Sequence, residues 1–347
     1  MDRRSLIRSL AALPLAGVAA AAAAGSDPAR PTIRPRRLRQ GMTVGLVSPA
    51  SNAPEDEDIA FAMDVVRSLG FKVKPAQHLY QRTQYLAGTD QQRAADLNAM
   101  FADREVDAIF CLRGGYGSSR LLPLLDYGLI AANPKVLMGY SDITALHCAI
   151  FGRTGLVTFH GPIAGANFTE YSYTQFRETL IEGRGRQPLA APPPFEDPGP
   201  GRVERENRLT VLHPGTAEGP LLGGNLTLVS HLMGTPWEPD FSGRLLFLED
   251  VHEAPYRVDR MLTQLRLAGA LERVAGIAFG KFTEADTSNN SFSMEQVLRE
   301  RTAGLGVPVL RGLMIGHVED QAVIPVGARA RLDTATATLT LLEPAVA

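Results

Sequence analysis

The sequence predicts an α/β protein with two domains. Between Thr43 and Phe151, short apolar strands alternate with helical stretches, as in the strand–helix–strand units of a parallel sheet. Strands and helices begin again at Leu221, after a segment, 187–201, in which six of fifteen residues are proline. Such a segment is a stiff, non-helical connector, and 347 residues are too many for one small core.

In the N-terminal half, each element follows from a local pattern. After the first strand, acidic residues at Glu55–Asp58 favour a helix start, and Gly70 closes that helix behind Ser68. The predicted strands are 43–48, 71–73, 108–112 and 135–138, and the predicted helices are 55–68, 90–102, one starting near Ser118, and one running from the turn at Ser141 to Phe151.

In the C-terminal half, the pattern is strand, helix, strand, helix, strand. The predicted strands are 221–225, 244–248 and 277–280, and the predicted helices follow the first strand to Met233 and cover 257–268. The alternation of side chains in 328–342 predicts an exposed β-hairpin.

The composition is that of an ordinary soluble protein. Apolar residues make up 45% of the chain and charged residues 21%, with a net charge of −2. Without a basic excess, no nucleic-acid partner is expected. Cys111 and Cys148 both lie in apolar runs, so they are expected to be buried free thiols rather than a disulfide framework.

Residues 1–24 predict an export signal of the twin-arginine type, and hence a periplasmic protein. Arg3 and Arg4 precede a mildly apolar run that ends in alanines, which suit a cleavage site. The alternative is an uncleaved membrane anchor, but the run 9–24 is short and weakly hydrophobic for a span, so no stable anchor is expected. The mature chain would carry 32 basic and 36 acidic side chains, a net charge of −4.

A serine stands at the turn after the fourth strand. Gly139-Tyr140-Ser141 has the front half of the Gly-x-Ser-x-Gly elbow of serine hydrolases, but position 143 is isoleucine rather than glycine. Ser141 is therefore either a nucleophile, aimed out of the sheet by a sharp turn, or a cap for the helix that follows.

The glycine-rich stretch Arg113-Gly-Gly-Tyr-Gly117 follows the third strand. Three glycines in four positions let the backbone turn tightly and approach a ligand. The stretch lacks the spacing of a phosphate-binding loop, so it is either an oxyanion or carboxylate site or a plain tight loop.

The acidic pair Glu249-Asp250 ends an apolar strand. It is either a helix-initiating turn or the source of a carboxylate that orients a histidine. Among the seven histidines, His160 stands at a strand end and His317 follows a glycine, so their rings could be presented freely. The sequence has no HExxH or CxxC pattern, and no metal is predicted.

Seven runs stand in a fixed order along the chain: 110–121 (FCLRGGYGSSRL), 139–145 (GYSDITA), 160–162 (HGP), 222–226 (LGGNL), 234–237 (GTPW), 248–261 (LEDVHEAPYRVDRM) and 316–317 (GH). In this order they resemble the murein LD-carboxypeptidases, a serine peptidase family that includes the microcin-immunity hydrolases. The resemblance extends over about 38–342.

The resemblance implies an N-terminal flavodoxin-like parallel α/β domain and a C-terminal swivelling β/α domain. The expected organisation is a signal (1–24), a spacer (25–37), the N-terminal domain (38–165), a connector (166–215) and the C-terminal domain (216–345).

The resemblance also implies the site. The catalytic triad would be Ser141, Glu249 and His317, in that chain order, at the interface of the two domains. Backbone N–H groups of Gly115 and Asp142 would form the oxyanion hole. Arg113 either binds the carboxylate of the substrate or forms a structural salt bridge. No cofactor or metal is expected, and family members often form homodimers.

The implied substrate is a muropeptide stem, cut between meso-diaminopimelate and the terminal D-alanine. One alternative is the same chemistry on a peptidyl-nucleotide antibiotic. The other is a non-catalytic protein that binds wall peptides, although such a protein has no need of all three triad residues. Family members are mostly cytosolic enzymes of wall recycling, so the export signal predicts a periplasmic or other exported substrate instead.

Overall fold

The computed structural model describes residues 31–195, 199–285 and 291–347. The predicted signal at 1–24 and residues 25–30 of the spacer lie outside the described residues. Within the described part of the chain, no helix is long and apolar enough to cross a membrane.

The first sheet is parallel over five strands and lies in the N-terminal half. Its strands are β1 (Thr43–Val47), β2 (Lys72–Pro75), β3 (Ala108–Cys111), β4 (Val136–Gly139) and β5 (Thr158–His160). Their spatial order is β2–β1–β3–β4–β5, the flavodoxin order, which confirms the predicted α/β fold. In this order the chain changes direction between β1 and β3, and ligands bind beyond the carboxyl ends of the strands at such a point.

Four helices and two 3₁₀ turns connect these strands. The helices are α1 (Asp56–Ser68), α2 (Asp90–Ala102), α3 (Tyr127–Ala132) and α4 (Thr144–Thr154), and the 3₁₀ turns are Ser118–Leu124 and Ser141–Ile143. A capping box formed by Thr89 and Gln92 starts α2, where helix signals predicted a start. The helix predicted from Ser118 is a 3₁₀ stretch instead, and it contains Pro123, which cannot donate an intrahelical hydrogen bond.

The second sheet is mixed and, within the described part of the chain, has eight strands. They are β6 (Pro188–Leu189), β7 (Thr210–His213), β8 (Thr216–Asn225), β9 (Leu245–Val251), β10 (Gly276–Thr283), β11 (Val309–Arg311), β13 (Arg329–Asp333) and β14 (Thr338–Leu341). The order is β6–β14–β13–β8–β9–β10–β11–β7, with β8 to β11 parallel. Strands β13 and β14 form the hairpin that the alternation in 328–342 predicts, but it is not exposed: it lies between β8 and β6, and every second side chain is buried.

Helices α6 (Leu226–His231), α7 (Pro255–Leu267) and α8 (Met294–Thr302) belong to this second half. Helix α7 begins two residues before its predicted start, because Pro255 occupies the first turn, where a missing N–H costs nothing.

The segment 166–215, predicted as a connector, contributes to both halves. Its helix α5 (Glu170–Phe176) continues into a π-helical turn, Arg177–Ile181. The Phe176 ring packs edge-on against Phe71 and Phe110 in the core of the first sheet. Strands β6 and β7 pair with β14 and β11 at the two edges of the second sheet.

The chain returns to the first sheet late in the sequence. Strand β12 (Ile324–Val326) pairs antiparallel with β5, and Ile324 lies opposite His160. The loop between β11 and β12 therefore runs from the second sheet to the first, and it carries His317. No sequence pattern predicted this short strand.

Candidate active site

Ser141 stands at the sharp turn between β4 and α4. Its φ is +63°, a left-handed conformation that is uncommon for residues other than glycine. Two glycines make room for this turn: a Cβ at Gly139 would lie 3.0 Å from the Cβ of Cys111, and one at Gly114 would lie 3.0 Å from the Cβ of Ser141. The turn thus has the strained geometry of a nucleophile elbow, although isoleucine replaces its last glycine.

The Ser141 hydroxyl does not cap a helix. The 3₁₀ turn that begins at Ser141 and helix α4 both start without a side-chain cap. Instead, Ser141 Oγ lies 3.0 Å from Nε2 of His317, close enough to donate a hydrogen bond to the neutral ring. Of the two roles open for this serine, the geometry favours that of a nucleophile beside its base.

Glu249 holds the other side of the His317 ring. Nδ1 of His317 lies 2.8 Å from Oε2 of Glu249, which stands on β9 and is fully buried. Gly316 permits this approach, because a Cβ there would lie 2.5 Å from the same carboxylate oxygen. The three predicted triad residues therefore form one continuous chain of contacts, in which the carboxylate fixes the ring for a base at Nε2.

Two histidines flank the Glu249 carboxylate. His160 is fully buried at the end of β5, and its Nε2 lies 3.7 Å from Oε1 of Glu249. Burial alone would raise the pKa of Glu249, but the hydrogen bond from His317 and the proximity of the His160 ring outweigh it and lower this pKa to about 2. Glu249 is thus a stable anion beneath the His317 ring.

Asp250, the other member of the acidic pair, has a structural role. Its carboxylate accepts hydrogen bonds from Asn225 Nδ2 at 2.8 Å and from the backbone N–H of Thr227 at 3.0 Å, where α6 begins. Burial and the neighbouring Glu249 charge raise the pKa of Asp250 to about 6. The two environments therefore separate the pair into one carboxylate for the histidine and one for the helix start.

The serine and histidine line an open cleft of about 650 Å³ beyond the carboxyl ends of β1, β3 and β4. Its wall includes Arg113, Gly114, Gly115 and Tyr140. The Tyr140 ring packs edge-on against the His317 ring, with 4.9 Å between centroids.

Arg113 is half-buried and donates one hydrogen bond to the carbonyl of Asn52 at 3.1 Å. It forms no ion pair among the described residues, so its charge faces the cleft without a carboxylate partner.

The glycine-rich loop is fixed against the loop that follows β1. The hydroxyl of Ser51 accepts the N–H of Tyr116 at 3.1 Å, and the N–H of Ser51 donates to the carbonyl of Gly114 at 3.3 Å. Gly115 has a φ of +110°, and a Cβ there would lie 2.4 Å from Ser51 Oγ. A Cβ at Gly114 would lie 3.4 Å from the backbone nitrogen of Asp142, so the loop and the start of the serine turn adjoin.

Two family models match the chain. The LD-carboxypeptidase N-terminal domain covers residues 44–161 and the LD-carboxypeptidase C-terminal domain covers residues 218–332. The chain belongs to the LD-carboxypeptidase family. It is therefore a serine-type hydrolase, as the resemblance implied.

Curated relatives match this LD-carboxypeptidase over most of their length. A probable murein peptide carboxypeptidase of Bacillus subtilis is 41% identical over 316 residues, which cover 88% of this chain and 93% of the relative. A murein tetrapeptide carboxypeptidase of Pseudomonas aeruginosa is 34% identical over 310 residues, which cover 84% and 92%.

The fold of this LD-carboxypeptidase is also that of a microcin immunity protein. The structure of microcin C7 self immunity protein MccF, a mutant in complex with adenosine monophosphate, aligns with a TM-score of 0.82 and 26% identity. The alignment covers 91% of this chain and all of that one. The N-terminal parallel sheet and the curled mixed sheet are thus common to both.

Three other histidines of this LD-carboxypeptidase have structural contacts, whereas His252 lines the same cleft as the serine. His147 is buried in α4, with Nε2 2.8 Å from the carbonyl of Gly139, and burial lowers its pKa to about 3. His78 contacts Asp96, and His213 contacts Thr302. Among residues 31–195, 199–285 and 291–347, no group of histidine, cysteine and acidic side chains could hold a metal ion.

The sequence did not predict the residues that hold the glycine-rich loop and the His317 ring in place. Ser51 and Arg93 contact the glycine-rich loop through hydrogen bonds, and Tyr140 packs on the histidine. A serine after a strand and an arginine within a helix carry no distinctive pattern. Only the position of Tyr140, directly before the serine, could have pointed to it.

Proposed function

We propose that this LD-carboxypeptidase releases the terminal D-alanine from murein tetrapeptide stems, at the bond that follows meso-diaminopimelate. The observation that carries the proposal is the chain of contacts from Ser141 through His317 to Glu249 at the base of an open cleft. The murein peptide and tetrapeptide substrates named for relatives at 41% and 34% identity support this choice of substrate.

The reaction begins with the serine. His317 Nε2 takes the proton of Ser141 Oγ as the oxygen attacks the carbonyl carbon of the scissile amide. The Glu249 anion keeps the Nδ1 proton of His317 directed at itself and stabilises the imidazolium that forms. His317 then gives its proton to the amine nitrogen of D-alanine, the C–N bond breaks, and an acyl-enzyme remains on Ser141.

Water completes the cycle. His317 takes a proton from a water molecule that attacks the ester carbon, and then returns that proton to Ser141 Oγ as the acid leaves. Backbone N–H groups of Gly115 and Asp142 stabilise the oxyanion in both halves of the reaction. The adjoining positions of these two backbone segments, beside Ser141, support this role.

Arg113 is the proposed partner of the carboxylate of the terminal D-alanine. It lines the cleft with the serine and lacks an ion-pair partner among the described residues. A carboxypeptidase must recognise the free end of its substrate, and an arginine can bind a carboxylate with two parallel hydrogen bonds.

We also propose that the chain is exported and acts on periplasmic murein peptides. The Arg3-Arg4 pair and the alanine-rich run that follows support an export signal. Fractionation of cells that express the full chain tests this step, with an Arg3→Lys/Arg4→Lys variant as the control. Export of the wild type and cytoplasmic retention of the variant are expected, and a cytoplasmic wild type would refute it.

The activity is tested with a purified disaccharide tetrapeptide, read by mass spectrometry. Wild-type protein should remove one alanine, and Ser141→Ala should remove none. A pentapeptide serves as the control for the bond that is cleaved, and a tetrapeptide with an amidated terminus serves as the control for the free carboxylate.

If the tetrapeptide stays intact while a peptidyl-nucleotide amide is cleaved in a Ser141-dependent way, the microcin-type alternative holds. If the protein binds wall peptides and cleaves no amide, it is a binding protein.

A further inference from the structure

Two buried side chains of opposite charge hold the peptide bond between Gly117 and Ser118. On one side, Arg93 donates from Nη1 to the carbonyl of Gly117 at 3.0 Å. On the other side, the N–H of Ser118 donates to Oδ2 of Asp142 at 2.7 Å. Arg93 is 1% exposed and Asp142 is 2% exposed. This single peptide group thus lies between a cation and an anion that are both shielded from water.

Arg93 also joins this peptide to the loop after β1. The same Nη1 donates to the carbonyl of Pro49 at 2.5 Å, and Nη2 donates to Asp90 at 2.5 Å. The Pro49 segment leads to Ser51, which holds Gly114 and Tyr116. Arg93 therefore links the loop after β1 to the loop after β3, at the place where the strand order of the sheet reverses.

Asp142 joins the same peptide to the serine turn. Its side chain accepts from Ser118, and its own backbone carbonyl accepts the hydroxyl of Ser118. Asp142 directly follows Ser141, and its backbone N–H is one of the two proposed oxyanion donors. Gly115, which supplies the other, is two residues before Gly117. The peptide group between Gly117 and Ser118 thus links the two proposed oxyanion donors: Gly115 is two residues away along the chain, and Asp142 is joined to Ser118 by hydrogen bonds.

The backbone has little freedom at this point. Gly117 has a φ of +117°, and a Cβ there would lie 2.6 Å from Leu86 Cδ2 and 3.0 Å from Arg93 Nη1. Burying an arginine and an aspartate costs several kcal/mol per ion unless hydrogen bonds and charge compensate. Backbone hydrogen bonds to charged groups are among the stronger ones, so the pair fixes the peptide more firmly than water could.

We propose that Arg93 and Asp142 form a peptide clamp that sets the spacing between the N–H groups of Gly115 and Asp142, and so the geometry of the oxyanion hole. Both side chains are positioning residues, since neither lines the cleft. The proposal rests on the proposed serine mechanism. Oxyanion donors act on charge that develops in the transition state, so loosening the clamp lowers kcat and leaves substrate binding unchanged.

The test uses the full chain and three variants. Arg93→Lys keeps the charge but cannot reach both carbonyls and Asp90, Asp142→Ala removes the acceptor of the Ser118 N–H, and Asp142→Asn restores an uncharged acceptor. The matched controls are Arg120→Gln and Asp96→Asn. The Arg120 side chain pairs with the same Asp90 and makes no hydrogen bond to a loop carbonyl among the described residues, and its backbone N–H, which donates to the Gly117 carbonyl, is kept in the variant. Asp96 is a buried carboxylate elsewhere on α2.

Two rates are measured, kcat on the tetrapeptide and the rate at which a fluorophosphonate probe labels Ser141. Removing one oxyanion donor outright costs about 100- to 1,000-fold. For displaced donors we expect Arg93→Lys and Asp142→Ala to lower both rates at least about tenfold, with KM changed less than about twofold. Asp142→Asn should recover part of each rate, and both controls should keep wild-type values. Thermal unfolding shows that each variant is folded, and if Arg93→Lys does not fold, the two Asp142 variants decide.

The outcomes separate the clamp from the proposed function. If the folded clamp variants keep the labelling rate and the kcat of the wild type, the clamp is overturned and the proposed function stands. Equal increases in KM and decreases in kcat, without recovery in Asp142→Asn, would make the pair merely structural and overturn the clamp as well. Labelling of the wild type without release of alanine would refute the substrate, while the labelling rates still decide the clamp. A wild type that the probe does not label would overturn both.

Discussion

His317 Nε2 lies 3.0 Å from Ser141 Oγ, although 176 positions of chain separate the two residues. Ser141 follows β4 of the first sheet, and His317 stands on the loop that runs from the second sheet back to the first. Glu249, the third member, stands on β9 of the second sheet. The proposed catalytic unit therefore forms only when both sheets are folded and joined.

Replacing Ser141 with alanine should abolish turnover and leave the fold intact. Loss of the nucleophile in a serine triad costs about 10⁶-fold in kcat, and only a small side chain is removed here. Release of D-alanine and thermal unfolding are the measurements. Ser230→Ala, which truncates a buried serine bonded to the carbonyl of Thr227, is the matched control and should stay active. Wild-type turnover by Ser141→Ala would remove this serine from the mechanism.

Ser141→Gly tests the strain at the turn. The left-handed backbone of Ser141 costs roughly 1–2 kcal/mol in any residue with a Cβ, and glycine escapes this cost. Greater freedom of glycine in the unfolded chain offsets part of the gain. We expect Ser141→Gly to be inactive and to unfold at a higher temperature than Ser141→Ala. A lower melting temperature for the glycine variant would contradict the strain.

Glu249→Gln should lower kcat by roughly 10⁴-fold with little change in shape. The amide can no longer hold the imidazole of His317 in the tautomer that leaves Nε2 free, and it cannot stabilise the imidazolium. The measurement is kcat on the tetrapeptide at neutral pH, with Asp250→Asn as the neighbouring carboxylate variant. If Asp250→Asn loses as much activity as Glu249→Gln while remaining folded, the two carboxylates have been assigned in the wrong order.

Glu249 should also stabilise the fold in a pH-dependent way. Its pKa falls from 4.5 to about 2 on folding, so its contribution is complete above pH 4.5 and is lost as the pH drops towards 2. The shift corresponds to roughly 3 kcal/mol. Urea unfolding between pH 5.5 and pH 2.5 should show the wild type losing its advantage over Glu249→Gln as the pH falls. A constant difference between the two proteins would contradict the lowered pKa.

Asp250 provides a control of opposite sign. Its pKa rises from 3.8 to about 6, so its ionisation disfavours the folded state. Its contribution is complete below pH 3.8 and is lost as the pH rises through about 6. Relative to Asp250→Asn, the wild type should therefore lose stability as the pH increases over this range, opposite to the Glu249 comparison.

Arg113→Met should impair recognition of the substrate terminus. A hydrogen bond to a charged group contributes about 1.5–3 kcal/mol, which corresponds to roughly 10- to 150-fold in affinity. We expect KM for the tetrapeptide to rise, and the preference for a free carboxylate over an amidated terminus to shrink. Labelling of Ser141 by a fluorophosphonate should be unchanged. Arg67→Met, on the outer face of α1, is the control, and an unaltered preference in Arg113→Met would leave Arg113 with a structural role only.

The sequence predicted most of the first sheet well, because β1, β3 and β4 are apolar and buried, and helices α1 and α2 begin at capping boxes. The motif resemblance also named Ser141, Glu249 and His317, which the fold brings together. Local patterns alone left each of them ambiguous: a serine before a helix looks like a cap, and an acidic pair looks like a helix start. Distinguishing these roles needs contacts between residues far apart in the chain.

The supporting residues could not be predicted in the same way. Arg93 lies on a helix whose polar pattern suggests solvent, yet its charge is buried against two loop carbonyls. Strand β12 is three residues long and contains Pro325, so no alternation marks it. Both depend on which loops the folded sheets bring close, information that a propensity or a periodicity does not contain.

Strand β12 has a consequence for how the two halves can be separated. Because the chain leaves the second sheet to add an edge strand to the first, and then returns to complete the hairpin β13–β14, a single cut cannot divide the protein into two complete domains. A fragment that stops before Ile324 leaves the edge of β5 uncovered. Exchange of one half with a relative must therefore transplant 324–326 together with the N-terminal half, in a gene with three junctions rather than one.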